Sequence, residues 1–390
     1  MEKQLETKSS GAFVIYLLGF LFALHATLPV YINSSFLSLI STERFVGIIY
    51  SIGSIATILS FFTVPSILRK FGGYRAFVAF TLLELGSILA LAFLKSPPLL
   101  IFFFITSFIS IAIIGFIIDL FLESVSSDNK TGKIRGLFLT SVNSAWIVSP
   151  LITSLILTNA DYWKVYISAA VLLLPVLFIA KNNLKKLKSQ DYDKTPLIRT
   201  IKDIWSNNKN IKNIFIISFL MQFFFSWMVI YTPLYLRNHI LFDWKQIGIL
   251  FSVMLLPYVL TELPLGKIAD DKLGEKEIMS IGLIIVAIST GIISFISNGN
   301  FFLWMAILFI TRIGASMVEI MSETYFFKQI SASQMPILSV FRTTRPLAYI
   351  IAPIAATILF SFIEFKFIFM ILGFLMFYGL RFSLALRDTK

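Results

Sequence analysis

Cysteine is absent from this chain of 390 residues, and histidine occurs only twice. The absence of cysteine excludes disulfide bonds and thiol chemistry. Charge is also scarce: charged residues make up 14% of the chain, whereas soluble domains carry about 25%. Apolar residues dominate instead, with 57% of the chain hydrophobic and a mean hydropathy of +0.86. This composition indicates an integral membrane protein that crosses the membrane many times.

The net charge of +12 does not indicate nucleic-acid binding, because the basic residues lie in short loops between apolar runs. That distribution is typical of membrane topology rather than of a phosphate-binding surface. The N-terminal segment "MEKQLETKSSGAF" carries two acidic residues and no small-residue cleavage site. We therefore do not expect a removable signal peptide.

Twelve apolar runs are long enough to cross the hydrocarbon core, which requires roughly 20 residues of helix. They lie at about 11–33, 45–68, 74–94, 98–123, 136–158, 163–181, 212–236, 247–266, 276–296, 300–325, 336–360 and 363–386. The only long polar connection separates the first six runs from the last six. The sequence thus predicts an all-α polytopic membrane protein with an N-terminal half at 1–181, a linker at 182–211 and a C-terminal half at 212–390.

The orientation of these spans follows from the lysines and arginines in the loops. If the N-terminus is inside, the inner segments hold 24 of these residues and the outer loops hold 6. The positive-inside rule then places both termini and the linker in the cytoplasm, with the spans in the plasma (inner) membrane. Within the linker, "TPLIRTIKDIWSN" places five apolar side chains on one helical face, which predicts a short helix lying at the inner membrane surface.

The two halves repeat one another, since four segments recur in the same order 200 to 204 residues later. The recurring segments are "LPVYINSS" (28–35) with "TPLYLRNH" (232–239), "VGIIYSI" (46–52) with "IGILFSV" (247–253), "DLFLES" (119–124) with "EIMSET" (319–324), and "FLTSVNSAWIVSPLI" (138–152) with "FRTTRPLAYIIAPIA" (341–355). An internal duplication of this size determines the architecture. Two homologous six-span halves joined by a basic loop resemble the major facilitator superfamily of secondary transporters.

A loop motif adds to the resemblance. The superfamily carries G-x-x-x-D-[RK]-x-G-x-[RK] after the second span, often echoed after the eighth, and "GKIADDKLGEK" fits it with one extra residue through Gly266, Asp270, Lys272, Gly274 and Lys276. The earlier loop keeps only its last glycine and basic residue, as Gly73 and Arg75. In the family this loop latches the cytoplasmic side, a role that the resemblance implies for Asp270 and Lys276.

The resemblance also implies a function. It predicts a transporter that works by alternating access, with one substrate cavity between the halves and coupling to a proton or solute gradient. We expect a monomer that contacts membrane lipid, a small solute and protons, with no enzyme activity, cofactor or bound metal. No GxxxxGK[ST] loop is present, so the sequence contains no fused ATP-driven motor.

Charged residues inside the spans are the first candidates for function, because a charge in the membrane must be offset. Acidic residues end the fourth and tenth spans on the predicted cytoplasmic side, and basic residues begin the fifth and eleventh. This predicted cytoplasmic gate comprises Asp119, Glu123, Arg135, Glu319, Glu323, Arg342 and Arg345. Three interpretations are open: an ion-pair gate, a static structural pair, or a proton or cation site. Duplication in both halves favours the gate.

Arg312 lies near the membrane midplane, on the same helical stripe as Glu319 and Glu323. A guanidinium at that depth could bind an anionic substrate or hold a counter-ion, and a structural pair is the alternative. Glu84, near the middle of the third span, is expected to be a helix-packing contact. Glu262, between two prolines in the eighth span, is a candidate for proton coupling or for a latch contact.

The remaining candidates lie on the first span of each half. His25 suits either a neutral histidine bonded to a neighbour or a proton-coupling group. The first spans line the cavity in the resembled family, which makes Gln222, Trp227 and Tyr231 candidate substrate contacts. Ser226, on the same span, is a further candidate substrate contact.

Two other classes of function have less support in the sequence. A membrane enzyme would show paired histidines, a GxS-type nucleophile or metal-spaced ligands, and the two histidines lie far apart in the sequence. A non-transporting sensor would carry an additional soluble domain. An exporter of lipids or lipophilic compounds could use the same fold and stays open. The midplane arginine favours anionic or zwitterionic solutes, whereas the many drug exporters of the superfamily point the other way.

Overall fold

The computed structural model describes residues 2–125, 131–158, 161–186, 209–269, 273–329, 341 and 343–387. Thirteen α-helices account for most of these residues. They are α1 (Glu2–Thr27), α2 (Val30–Ile40), α3 (Glu43–Phe71), α4 (Gly73–Phe93), α5 (Pro97–Val125), α6 (Thr131–Ile156), α7 (Tyr162–Asn183), α8 (Lys209–Asn238), α9 (Trp244–Ile268), α10 (Glu275–Ile293), α11 (Phe301–Gln329), α12 (Thr344–Leu359) and α13 (Phe367–Leu384).

Each predicted span coincides with a helix. Ten helical stretches in the described residues are long and apolar enough to cross a membrane, and α1 and α2 together form the first of them. The fifth and eleventh predicted spans correspond to the shorter apolar helices Thr140–Ile156 and Thr344–Leu359. The all-α twelve-span architecture is therefore confirmed. The eleventh span was predicted to begin at residue 336, but residues 330–340 and the linker helix lie outside the described part of the chain.

The chain divides into two compact units, Met1–Asp193 and Lys194–Lys390. In the first unit the main packed pairs are α4 with α5, α1 with α6, α4 with α7, α1 with α7, and α3 with α5. In the second unit the corresponding pairs are α10 with α11, α8 with α12, α10 with α13, α8 with α13, and α9 with α11. The sequence repeat is thus a repeat of helix packing.

A glycine turn of the same conformation precedes the third membrane span of each unit, which is α4 in the first unit and α10 in the second. Gly72 has φ 78° and ψ 157°, and Gly274 has φ 85° and ψ 161°. Side chains are strained at such φ values, so glycine is required at both positions. The structural counterpart of Gly274 is therefore Gly72, one residue before the Gly73 that the motif alignment paired with it.

The first span is interrupted between α1 and α2, one turn beyond His25. Pro29 has no N–H to continue the helical hydrogen bonds. The hydroxyl of Thr153 on α6 donates to the carbonyl of Leu28 at 2.7 Å. That bond satisfies a carbonyl at the interruption and ties the first span to the fifth.

Glycines permit very close packing in the second unit. A Cβ atom built on Gly282 of α10 would lie 2.8 Å from the carbonyl oxygen of Gly314 on α11, and the reverse distance is also 2.8 Å. A Cβ on Gly373 of α13 would lie 2.6 Å from the carbonyl oxygen of Ala287. Small residues let helix backbones approach in this way inside membranes, where packing rather than the hydrophobic effect drives association.

Candidate functional site

The first unit contains a buried polar cluster built on His25. Its Nδ1 lies 2.8 Å from the carbonyl oxygen of Ala169 on α7, and its Nε2 lies 3.1 Å from Oε1 of Glu84 on α4. The hydroxyl of Ser107 on α5 donates to the same Oε1 at 2.8 Å. The side chains of His25 and Glu84 are both fully buried. One residue from α1 thus joins three neighbouring helices.

Hydrogen-bond chemistry constrains the protons of this cluster. The Ala169 carbonyl can only accept, so Nδ1 of His25 carries a proton. The contact between Nε2 and Oε1 then requires one further proton, held either by the imidazole or by the carboxyl group. Both arrangements give the pair no net charge, which suits a position in the membrane interior. The second carboxyl oxygen, Oε2, is buried and has no hydrogen-bond partner in the structure.

The cluster lies near the middle of the membrane. Glu84 is 11 residues from the start of α4 at Gly73, which places it about 17 Å along the helix. The hydrocarbon core is about 30 Å thick. His25 also stacks on Phe22, with ring centroids 5.9 Å apart. The sequence indicated the depth of each residue but not that they meet, because 59 residues separate them.

The second unit contains a buried cation of a different kind. Arg312 on α11 is 2% exposed, and its Cζ lies 5.4 Å from the ring centroid of Phe224 and 5.6 Å from that of Phe225. Its buried Nε has no hydrogen-bond partner. Among the residues that the structure describes, no carboxylate forms an ion pair with Arg312.

A second guanidinium lies nearby on α12. Arg345 is exposed, and its Cζ is 5.9 Å from the ring centroid of Tyr349. Tyr349 is also within electrostatic range of Arg312. Arg345 thus contacts Tyr349, and Arg312 lies close enough to influence it electrostatically. Within the described residues, Arg345 forms no ion pair with Glu319 or Glu323.

One stripe of α8 is left partly exposed. Between Asn213 and Leu236 every residue is buried except five, which recur every three or four positions. These five are Ile216, Phe219, Gln222, Phe225 and Val229. The stripe is thus apolar and aromatic, with Gln222 as its one polar side chain.

Trp227 and Tyr231, the other candidates on α8, are fully buried. The indole N–H of Trp227 donates to the carbonyl of Ala352 at 2.6 Å, and the hydroxyl of Tyr231 donates to that of Pro353 at 3.3 Å. Both polar groups are therefore used between α8 and α12. Ser226 is fully buried as well.

The predicted gate residues are only partly described. Asp119 is exposed, while Glu319 and Glu323 are partly exposed, and each of the three is engaged in an interaction. The side chains of Glu123 and Arg135 and the whole of Arg342 lie outside the described part of the chain. The exchange of ion pairs at this gate stays a prediction.

The loop motif is also only partly described. Gly274 adopts the conformation that requires glycine, and the backbone carbonyl of Lys276 accepts hydrogen bonds from Ser280 and Ser383. Asp270, Lys272 and the side chain of Glu262 lie outside the described residues, and Gly266 lies within α9. The latch role of the loop stays a prediction.

An ion pair beside this loop was not anticipated from the sequence. Glu275, the first residue of α10, is fully buried and pairs with Lys328 in the last turn of α11. An acidic residue in the first turn of a helix and a basic one in the last turn were the available signals.

No group of three or more histidine, aspartate or glutamate residues in the described ranges could hold a metal ion.

Comparison with known proteins identifies the fold. The sequence model of the Major Facilitator Superfamily matches residues 242–389. No curated protein matches the chain. Solved structures that resemble it include the nucleoside transporter NupG, with a TM-score of 0.75, 12% identity, and coverage of 96% of this chain and 98% of that one.

Two further structures give the same result. A POT family transporter in complex with a thioalcohol-conjugated peptide has a TM-score of 0.78 and 12% identity, covering 96% of this chain and 95% of that one. A bacterial homologue of the human lysosomal transporter Spinster has a TM-score of 0.69 and 11% identity, covering 96% of this chain and 93% of that one. The resemblance to the major facilitator superfamily is confirmed: the C-terminal half matches the family model, and the whole chain has the transporter fold.

Proposed function

We propose that this protein is a proton-coupled secondary transporter that moves a small solute across the plasma (inner) membrane by alternating access. Both termini face the cytoplasm in this proposal, as the distribution of lysine and arginine predicts. The duplicated helix packing and the fold shared with nucleoside and peptide transporters support movement of a solute. The observation that carries the coupling is the buried His25–Glu84 pair.

The pair can take up a proton without losing any hydrogen bond. Oε1 of Glu84 already accepts from Ser107 and meets His25, whereas Oε2 has no partner. A proton that reaches Oε2 leaves the other contacts in place and converts the neutral pair into a cation. A net charge is costly in the membrane interior, so it favours a conformation in which the site is hydrated. Protonation can bias the conformational equilibrium by this means.

The acidic ends of α5 and α11 supply the gate in this mechanism. Asp119, Glu319 and Glu323 hold basic partners on the cytoplasmic side in one conformation and release them in the other. Their repetition in both halves supports this assignment, since the halves of such transporters rock about the substrate site. Each exchange of partners changes which side of the membrane is open.

The coupling is tested by Glu84→Gln in proteoliposomes that contain a pH-sensitive dye. Pools of sugars, amino acids, nucleosides, peptides and organic anions are added outside, and both proton movement and exchange of labelled solute are measured. Glutamine keeps a polar amide beside Ser107 and His25 but cannot take up a proton. We expect the variant to lose solute-induced proton movement and to retain solute exchange.

Thr81→Val is the matched control. Thr81 is buried on the same helix, and its hydroxyl donates only to the carbonyl of Phe77 one turn earlier. This variant should move protons as the unmodified protein does. Unchanged proton movement in Glu84→Gln would show that the pair is a packing contact, and coupling at His25–Glu84 would be rejected.

A further inference from the structure

We propose that the second unit binds a small organic anion between Arg312, Arg345 and Tyr349, with the apolar part of the ligand against the partly exposed stripe of α8. The assignment of this ligand as the transported substrate rests on the function proposed above. The binding site itself is inferred from the charges and contacts of the second unit.

Arg312 carries a buried positive charge that no described acidic residue offsets. A buried guanidinium cannot lose its proton, and it needs an opposite charge or several hydrogen-bond acceptors. Arg312 has neither among the described residues, and its Nε is unpartnered. The nearest described acidic residue on its own helix, Glu319, lies seven residues away, about 10 Å along the axis. A bound anion supplies what the protein does not.

Two aromatic rings lie beside the guanidinium of Arg312. Phe224 and Phe225 attract the cation of Arg312 through their rings, but a phenyl ring accepts none of the N–H groups as a conventional hydrogen bond. Those groups form a planar fork that matches a carboxylate or a phosphate. The contacts with the rings therefore hold the guanidinium in place and leave its hydrogen-bonding edge available.

A second arginine, Arg345, contacts Tyr349 from α12, and Arg312 lies within electrostatic range of the same tyrosine. Arg345 has no ion pair among the described residues. Two positive charges that share one neighbour repel each other in the absence of an anion. An anion near Tyr349 reverses that repulsion. This places Arg345 in the binding site, whereas the sequence placed it in the gate.

The surface beside Arg312 can contact the uncharged part of the ligand. Phe225 contacts Arg312 and belongs to the partly exposed stripe of α8. The neighbouring positions on that stripe are Gln222, Phe219 and Val229, which offer one amide and apolar surface. The site thus suits a carboxylate or a phosphate carried by an aromatic or aliphatic body.

The test compares three ligands of nearly equal shape and different charge: phenylacetate, phenylacetamide and phenethylammonium. Their affinities for the purified full-length protein in detergent are measured from the concentration dependence of its melting temperature. We expect the anion to bind at least tenfold more tightly than the other two. In Arg312→Gln the affinity for phenylacetate should fall by about 10- to 100-fold, as for the loss of a hydrogen bond between charged groups.

Two variants accompany this measurement. Arg312→Lys keeps the charge but not the fork and should fall between the unmodified protein and Arg312→Gln. Arg381→Gln removes an exposed arginine at the end of α13 and should leave the affinity unchanged. If Arg312→Gln does not fold, the charge series and Arg312→Lys still decide the question.

Equal binding of phenylacetate and phenylacetamide, or unchanged affinity in Arg312→Gln, would overturn the site. The result is separable from that of the transport assay. Anion binding without any transport would retain the site and reject the transporter function. Transport of neutral or cationic solutes without anion binding would retain the transporter function and reject the anion site.

Discussion

Glu275 begins α10 without exposure to solvent, and its partner Lys328 ends α11 with 44% of its side chain exposed. Lys328 offsets the burial of the Glu275 carboxyl group, because removing the basic partner of a buried acidic group is strongly destabilising. The contact joins two helices of the second unit at the side that carries the basic loops.

Lys328→Met is expected to lower the free energy of unfolding by about 1–3 kcal/mol, since it removes the basic partner of the buried Glu275 carboxylate. Adding Glu275→Gln to that variant should restore part of the loss. Thermal unfolding in detergent measures both effects.

The control for this cycle is Lys366→Met. Lys366 pairs with Glu364 at 2.9 Å, but both side chains are well exposed, so the loss of stability should be clearly smaller than in Lys328→Met. The pKa of Lys366 lies above its usual value because of the hydrogen bond to Glu364. Equal losses in Lys328→Met and Lys366→Met would contradict a special role for the buried pair.

Single residues differ in how far the sequence predicts them. The depth of Arg312 follows from its distance to the end of an apolar run, but the absence of an ion pair at Arg312 among the described residues was not expected, because buried charges are normally paired. The partnership of His25 with Glu84 does not follow, because periodicity describes one helix at a time and these residues lie on two. For the same reason Glu84 was expected only to pack.

At the level of helices, glycine determines how closely α10, α11 and α13 approach. Gly282 and Gly314 face each other at distances that leave no room for a methyl group on either. Gly291, on the same helix as Gly282, has open space where its Cβ would lie. The two glycines of α10 therefore provide a matched comparison.

Gly282→Ala should destabilise the protein by about 1–3 kcal/mol, because the methyl group collides with the backbone of α11. Gly291→Ala should be neutral or stabilise it by up to about 1 kcal/mol, through the higher helix propensity of alanine. The melting temperatures of the two variants check this. A Gly282→Ala protein as stable as Gly291→Ala would show that the contact between α10 and α11 is looser than described.

Helix positions were largely predictable from the sequence, since a run of about 20 apolar residues has few alternatives in a membrane. Helix contacts were not. The close approach at Gly314 depends on a glycine of another helix, and the interruption at Pro29 depends on Thr153 of α6. The pairing of Gly274 with Gly72 rather than Gly73 became clear only from their shared backbone conformation.

For the whole molecule, we propose different tasks for the two units. In this proposal the first unit couples protons through the His25–Glu84 pair, and the second binds an anion at Arg312. The duplication predicted the shared packing of the units, but Arg312 has Ala112 as its counterpart in the first half. A coupled transporter requires that the two sites influence one another through a change in conformation.

The most direct test of alternating access measures distances on both sides of the membrane in one protein. The chain has no cysteine, so pairs of spin labels can be introduced without first replacing native cysteines. One pair, Lys70→Cys with Leu384→Cys, reports on the predicted cytoplasmic side. The other, Lys95→Cys with Leu241→Cys, reports on the outer side. All four positions are exposed.

Pulsed electron paramagnetic resonance on the two pairs in lipid nanodiscs, at high and low pH and with phenylacetate, is the measurement that we would make. We expect that when one pair moves apart the other moves closer, and that Glu84→Gln abolishes the response to pH. Distances that do not change on either side, or that change in the same direction on both, would contradict alternating access.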